Sequence, residues 1–175
     1  MPFLLALVAI AAGLYFWTLR ARNAAEAARE LGDMAADVMS AARRFGFRRR
    51  ANIHPVDSID DASVAMGALT VALAELGPPP SDASRKAHLI ALQAELDMPL
   101  ARAQELLILG HWLVNECNGP DPAIARMGKR VRSLAADDGL DGVLRIFKPV
   151  AEASAGLSDA QRDALADLAR LFGRK

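Results

Sequence analysis

Apolar residues along the chain follow three patterns. From Phe3 to Leu19 they run for 17 residues without a charge. As a helix this run is about 26 Å long, at the short end of what crosses a bilayer core. From Arg20 to Arg50 they recur at spacings of three and four. Leu31, Met34, Ala35, Val38, Met39, Ala42 and Phe45 trace one stripe of a continuing amphipathic helix. Beyond residue 56 the stripes are short and repeatedly interrupted.

The interruptions divide residues 57–175 into about six helices. Asp57 and Ser58 are placed to start the first, which carries Val64, Leu69, Val71 and Leu73 and runs to Leu76. Gly77-Pro78-Pro79-Pro80 ends it. Ser81 or Asp82 caps the second, with Leu89, Ile90, Leu92 and Leu96. Pro99 suits the first position of a third helix reaching about Asn118. Asn118-Gly119-Pro120 ends that one, and Asp121-Pro122 opens the next. Asp137-Asp138-Gly139 is a turn before a helix through Leu144, Ile146 and Phe147. Ser158 and Gln161 form a capping box for the last helix, Asp159 to Phe172. No useful stretch alternates with period two. The expected fold class is therefore all-α: a single N-terminal transmembrane helix (1–19), a basic amphipathic connector (20–56) and a helical bundle (57–175).

Composition agrees with helices. The chain has 175 residues, 36 of them alanine, with 53% hydrophobic and 5% aromatic residues. One cysteine excludes a disulfide framework and a Cys-based zinc or iron–sulfur centre. The net charge of zero argues against general nucleic-acid binding. Its distribution says more. Residues 20–50 hold eight arginines against Glu26, Glu30, Asp33 and Asp37, a net of +4, and the rest of the chain carries −4.

Charge placement gives the apolar run a direction. No Lys or Arg precedes it, whereas Arg20 and Arg22 follow it directly. A cleaved signal peptide would need a basic start and a small-residue cleavage site. Tyr15, Phe16 and Trp17 sit at its end, where aromatic rings favour the headgroup layer. The positive-inside rule then puts the N-terminus outside and the body in the cytoplasm. The connector stripe has two destinations. It packs on the body or on a second copy, or the helix lies on the bilayer with Arg43, Arg44, Arg48, Arg49 and Arg50 meeting anionic headgroups. Phe45 and Phe47 give the best local case for lipid contact. Its small, alanine-weighted residues favour protein.

An internal echo joins the two ends of the body. Ala74-Glu75 is followed by Ser81-Asp82-Ala83-x-Arg85, and Ala151-Glu152 by Ser158-Asp159-Ala160-x-Arg162, at an offset of 77. Over residues 57–173 this pattern resembles the tellurite-resistance TerB-like domain. The basic stretch and the N-terminal span are similar to membrane-anchored proteobacterial relatives. The resemblance implies an all-helical bundle at a bacterial inner membrane and, in some members, divalent-metal binding through turn acids. Carried over by position, that metal chemistry is lost. Gly77 and Ser154 stand where the turn aspartate would be, and Ser84 and Gln161 where the glutamate would be. Asp82 and Asp159 remain as first-turn acids facing a helix dipole. No metal or cofactor is expected.

Three further clusters invite chemistry. Asp137-Asp138-Gly139-Leu140-Asp141-Gly142 fails the calcium-loop pattern, because its twelfth position is Lys148. His111 and Cys117 share a helix, but their six-residue spacing points them apart, which argues against a nucleophile pair. His88 lies among Leu89, Ile90 and Leu92 as a surface or packed histidine. With no phosphate loop or nucleophile elbow, no enzyme and no catalytic residue is expected. The expectation is a membrane-tethered interaction module, an accessory or assembly subunit of a membrane complex. A TerB-like metal or envelope-stress sensor is the alternative.

Overall fold

The structure is a computed structural model that describes Ser40 and residues 53–136, 138–154 and 156–174. Its described part is all-helical. A 3-10 turn, Pro55–Ser58, leads into six helices: α1 (Ala62–Glu75), α2 (Asp82–Leu96), α3 (Leu100–Glu116), α4 (Pro120–Ala135), α5 (Asp138–Glu152) and α6 (Asp159–Leu171). No strand occurs among the described residues.

α1 is the central element. It packs against α3, α4 and α5, while α2 packs against α5 and α3, and α6 against α4. Every residue from Val64 to Leu73 except Met66 is buried. A helix buried nearly all round must be apolar all round, and Thr70 is its one buried polar side chain. The outer helices bury stripes instead, such as Leu140, Val143, Ile146, Phe147 and Val150 on α5. One contiguous core joins them.

Two reciprocal notches bring α1 and α3 close together. The Leu106 side chain of α3 fills the space a Cβ would take at Gly67 of α1. At Gly110 of α3 an added Cβ would stand 2.7 Å from Cγ2 of Val71 on α1. Alanine at either position would overpack the crossing, at a typical cost of about 1–3 kcal/mol.

Four helix starts differ from expectation. Asp138 and Gly139, expected in a turn, already belong to the first turn of α5. α1 does not begin at Asp57 or Ser58. The Ser58 hydroxyl donates to Pro55 O at 2.7 Å, closing the 3-10 turn. Asp57 is engaged by Arg126 Nε at 3.0 Å. Asp61 therefore caps α1, its Oδ1 accepting from Ser63 N–H at 2.8 Å. Pro99 lies just before α3 with extended backbone rather than at its first position. α4 opens at Pro120, one proline earlier than expected, because Gly119 takes φ 122° and lets the chain turn there. The Ser158–Gln161 capping box forms as expected.

Candidate interaction surfaces and polar tethers

The sole cysteine sits at the end of α3 and is 6% exposed. Its neighbour is His54, whose Nε2 lies 4.0 Å from Cys117 Sγ. His111 is not its partner. Val56 N–H donates to His54 Nδ1 at 3.3 Å, so the ring proton is on Nε2 and donates to Glu116 O at 3.2 Å. A ring that presents its N–H to the sulfur cannot take the thiol proton. Burial, the largest effect, pushes the Cys117 thiol up, which opposes thiolate formation. The cluster pins the 3-10 turn to the last turn of α3. His111 instead pairs with Glu75 Oε1 at 2.5 Å, linking exposed positions of α3 and α1.

The buried histidine is His88. Thr70 donates its hydroxyl to Gly67 O at 2.8 Å. The 2.8 Å contact between Thr70 Oγ1 and His88 Nε2 is therefore a donation from the ring. Burial, followed by the nearby His111 charge, pushes the His88 pKa from 6.5 to about 4. His88 is thus a neutral tether from α2 to α1. α6 makes the corresponding contact through Gln161, whose Nε2 donates to Leu73 O at 2.9 Å. The carbonyls of a helix's last turn lack backbone partners, and Gln161 supplies one while its Oε1 accepts from Ser158 N–H.

The echo has a geometric counterpart. Arg85 donates to Pro80 O and to Asp82 Oδ1, and Arg162 donates to Leu157 O and to Asp159 Oδ1. Both turn acids face a guanidinium. Among the described residues no three His, Cys, Asp or Glu side chains gather as metal ligands. Asp141, from the failed calcium loop, pairs with Arg174, which holds its carboxyl below the usual range.

Surface depressions among the described residues border the outer helices. A basic one of about 640 Å³ follows α4, lined by Arg126, Lys129, Arg130 and Ser133. Its arginines are committed: Arg126 holds Asp57, whose carboxyl it lowers, and Arg130 Nε donates to Ile59 O at 2.6 Å. Between α4 and α6 lies a groove of about 510 Å³, floored by Ile124, Ala164, Leu168 and Leu171 and rimmed by Asp121, Asp163 and Asp167. A third depression of about 390 Å³ between α5 and α6 is mostly apolar, with Leu144, Phe147, Leu157 and Leu165.

Tyr15, Trp17, Arg20 and Arg22 of the expected anchor, and Phe45, Phe47, Arg48, Arg49 and Arg50 of the connector, lie outside the described residues. Among the described residues no helix is long and apolar enough to cross a membrane. The contacts that sequence reasoning missed are His54 with Cys117, His111 with Glu75, and Gln161 with Leu73. Each joins residues at least 36 positions apart, and short-range spacing carries no signal of them. Comparison with protein-family models, curated proteins and solved structures finds no match.

Proposed function

We propose that this chain is a membrane-tethered, non-enzymatic helical interaction module, an accessory or assembly subunit of a cytoplasmic-membrane protein complex, with TerB-like ancestry. The observation that carries the reading is the uncharged run Phe3–Leu19 closed by Arg20 and Arg22. A tether confines the body to a surface and raises its effective concentration beside a partner there. The apolar-floored groove between α4 and α6 supports the interaction part. Its apolar floor suits the apolar face of a partner helix, and its rim is of mixed charge, with Lys129 beside Asp121 and Asp163 and with Asp167 paired to Arg170.

The test has two stages. Alkaline extraction of membranes from cells making the full chain leaves the protein in the pellet, and a reporter fused after Lys175 is active in the cytoplasm. Purification in mild detergent then recovers a stoichiometric membrane partner. A chain released by alkali overturns the tether. A pelleted chain recovered only as monomer overturns the subunit role.

The metal-sensor alternative draws no support from the turn acids, which are ion-paired to Arg85 and Arg162. Calorimetric titration of the full chain with calcium and zinc should give no heat at millimolar metal. Saturable heat at either ion would favour the sensor.

A further inference from the structure

The basic depression along α4 holds more cations than the fold uses. Arg126, Lys129 and Ser133 follow one another at spacings of three and four, with Arg130 beside Lys129, so the four share one side of the helix. Pro122 and Ala125 add an apolar wall, and Asp57 is the one carboxylate in the lining.

We infer that this depression binds a phosphate monoester. Such binding needs neither the membrane tether nor a partner protein. Three observations carry it. The first is bracing. Arg126 gives Nε and Nη2 to the two oxygens of Asp57, and Arg130 gives the same two nitrogens to Ile59 O and Asp60. That commitment takes one edge of each guanidinium, and residues 57–60 supply all of it. The Nη1 group of each makes no hydrogen bond among the described residues. A planar guanidinium held by one edge can still receive an oxyanion on the other. Ordering the side chains, a main cost of holding an anion, is already met by their partners in the fold.

The second is charge. Lys129 is exposed and makes no hydrogen bond or ion pair among the described residues, although it also borders the groove that holds Asp121 and Asp163. With Asp57 matched to Arg126, the lining keeps two positive charges. A phosphate monoester carries about −1.5 to −2 near pH 7, whereas a carboxylate brings a single charge.

The third is size. At about 640 Å³ the depression lies within the range of small-molecule sites, and the Pro122 and Ala125 wall suits the carbon of an ester. The depression between α5 and α6 offers one cation, Lys148, which faces Glu152.

Calorimetry on the full chain in non-ionic detergent at low salt tests the assignment. Methyl phosphate should give saturable heat in the millimolar range, and acetate at equal ionic strength should give none. Lys129→Gln removes a side chain with no partner in the described fold and should weaken binding about fivefold, while Lys148→Gln should leave it unchanged. Amine labelling of Lys129, read by mass spectrometry, separates two sources of the phosphate. Slower labelling in vesicles with phosphatidic acid than in phosphatidylcholine alone assigns a lipid headgroup. Protection by methyl phosphate with no difference between the two vesicles assigns a soluble ester. Absence of saturable heat, equal heat from acetate, or an unchanged affinity in Lys129→Gln would each overturn the inference.

Discussion

The two capped helices α2 and α6 begin with the same local grammar and hold the core in different ways. Both open on a serine cap and an aspartate, and in both an arginine four residues after the cap returns to that aspartate and to the carbonyl preceding the cap. Both then send one buried polar side chain to α1. In α2 it is His88, bonded to Thr70. In α6 it is Gln161, bonded to Leu73 O. One tether titrates and the other does not. Repeated cap chemistry thus fixes where a helix starts, while a single non-repeated residue decides how it is held and what can release it.

Acid should separate the two tethers most sharply. Between pH 6.5 and about 4 the unfolded chain binds a proton at His88 that the folded chain does not. Stability therefore falls as pH drops through that window. The loss is complete below about pH 4 and on the order of 3 kcal/mol. Glu95, held below the usual carboxylate range by Arg145, adds a loss of the same sign at lower pH. Denaturant unfolding from pH 7 to 4 should show the slope, and His88→Gln should flatten it. In hydrogen exchange, amides of α2 should lose protection before those of α6. Equal loss in both helices would erase the distinction.

The amide tether should respond to mutation rather than to pH. Gln161→Ala leaves the Leu73 carbonyl and the Ser158 N–H without their side-chain partner and should cost about 2 kcal/mol at every pH. The corresponding position in α2 is Ser84, whose hydroxyl bonds within its own helix turn, so Ser84→Ala should cost well under about 1 kcal/mol. Equal costs, read from urea midpoints, would mean that position rather than reach sets the strength.

Removing the caps tests what the two helices share. Ser81→Ala and Ser158→Ala should each destabilise by about 1 kcal/mol, with Ser158 the larger because its capping box is reciprocal. The smallest effect should come from Arg85→Ala and Arg162→Ala. Both are exposed i,i+3 pairs with aspartate, worth a few tenths of a kcal/mol and removed by salt. Thermal melts at low and high salt would measure it.

How much of this could be read in advance follows the range of each interaction. Helix number, the Gly77–Pro80 break and the Ser158 box are local, and spacing alone exposes them. The start of α1 was not legible, because Asp57 looks like a cap until Arg126, 69 positions away, takes its carboxylate. The openings of α3 and α4 each hinged on the backbone beside a proline, a detail finer than a pattern of apolar residues can resolve. His111 and Cys117 were correctly read as pointing apart. Their real partners, Glu75 and His54, come from other elements, and only the packing of α1 and of the 3-10 turn on α3 delivers them.

The reciprocal notches between α1 and α3 have a mechanical corollary. Two interlocked teeth, Leu106 at Gly67 and Val71 at Gly110, prevent either helix from advancing a turn past the other without unmeshing both. A shift of that kind is one of the ways helical proteins change state, and here it would have to unmesh both contacts at once. Force applied along the back of α3 is therefore borne by the core as a whole, as by a keyed shaft, and α3 gives its outer face a fixed base rather than a sliding one.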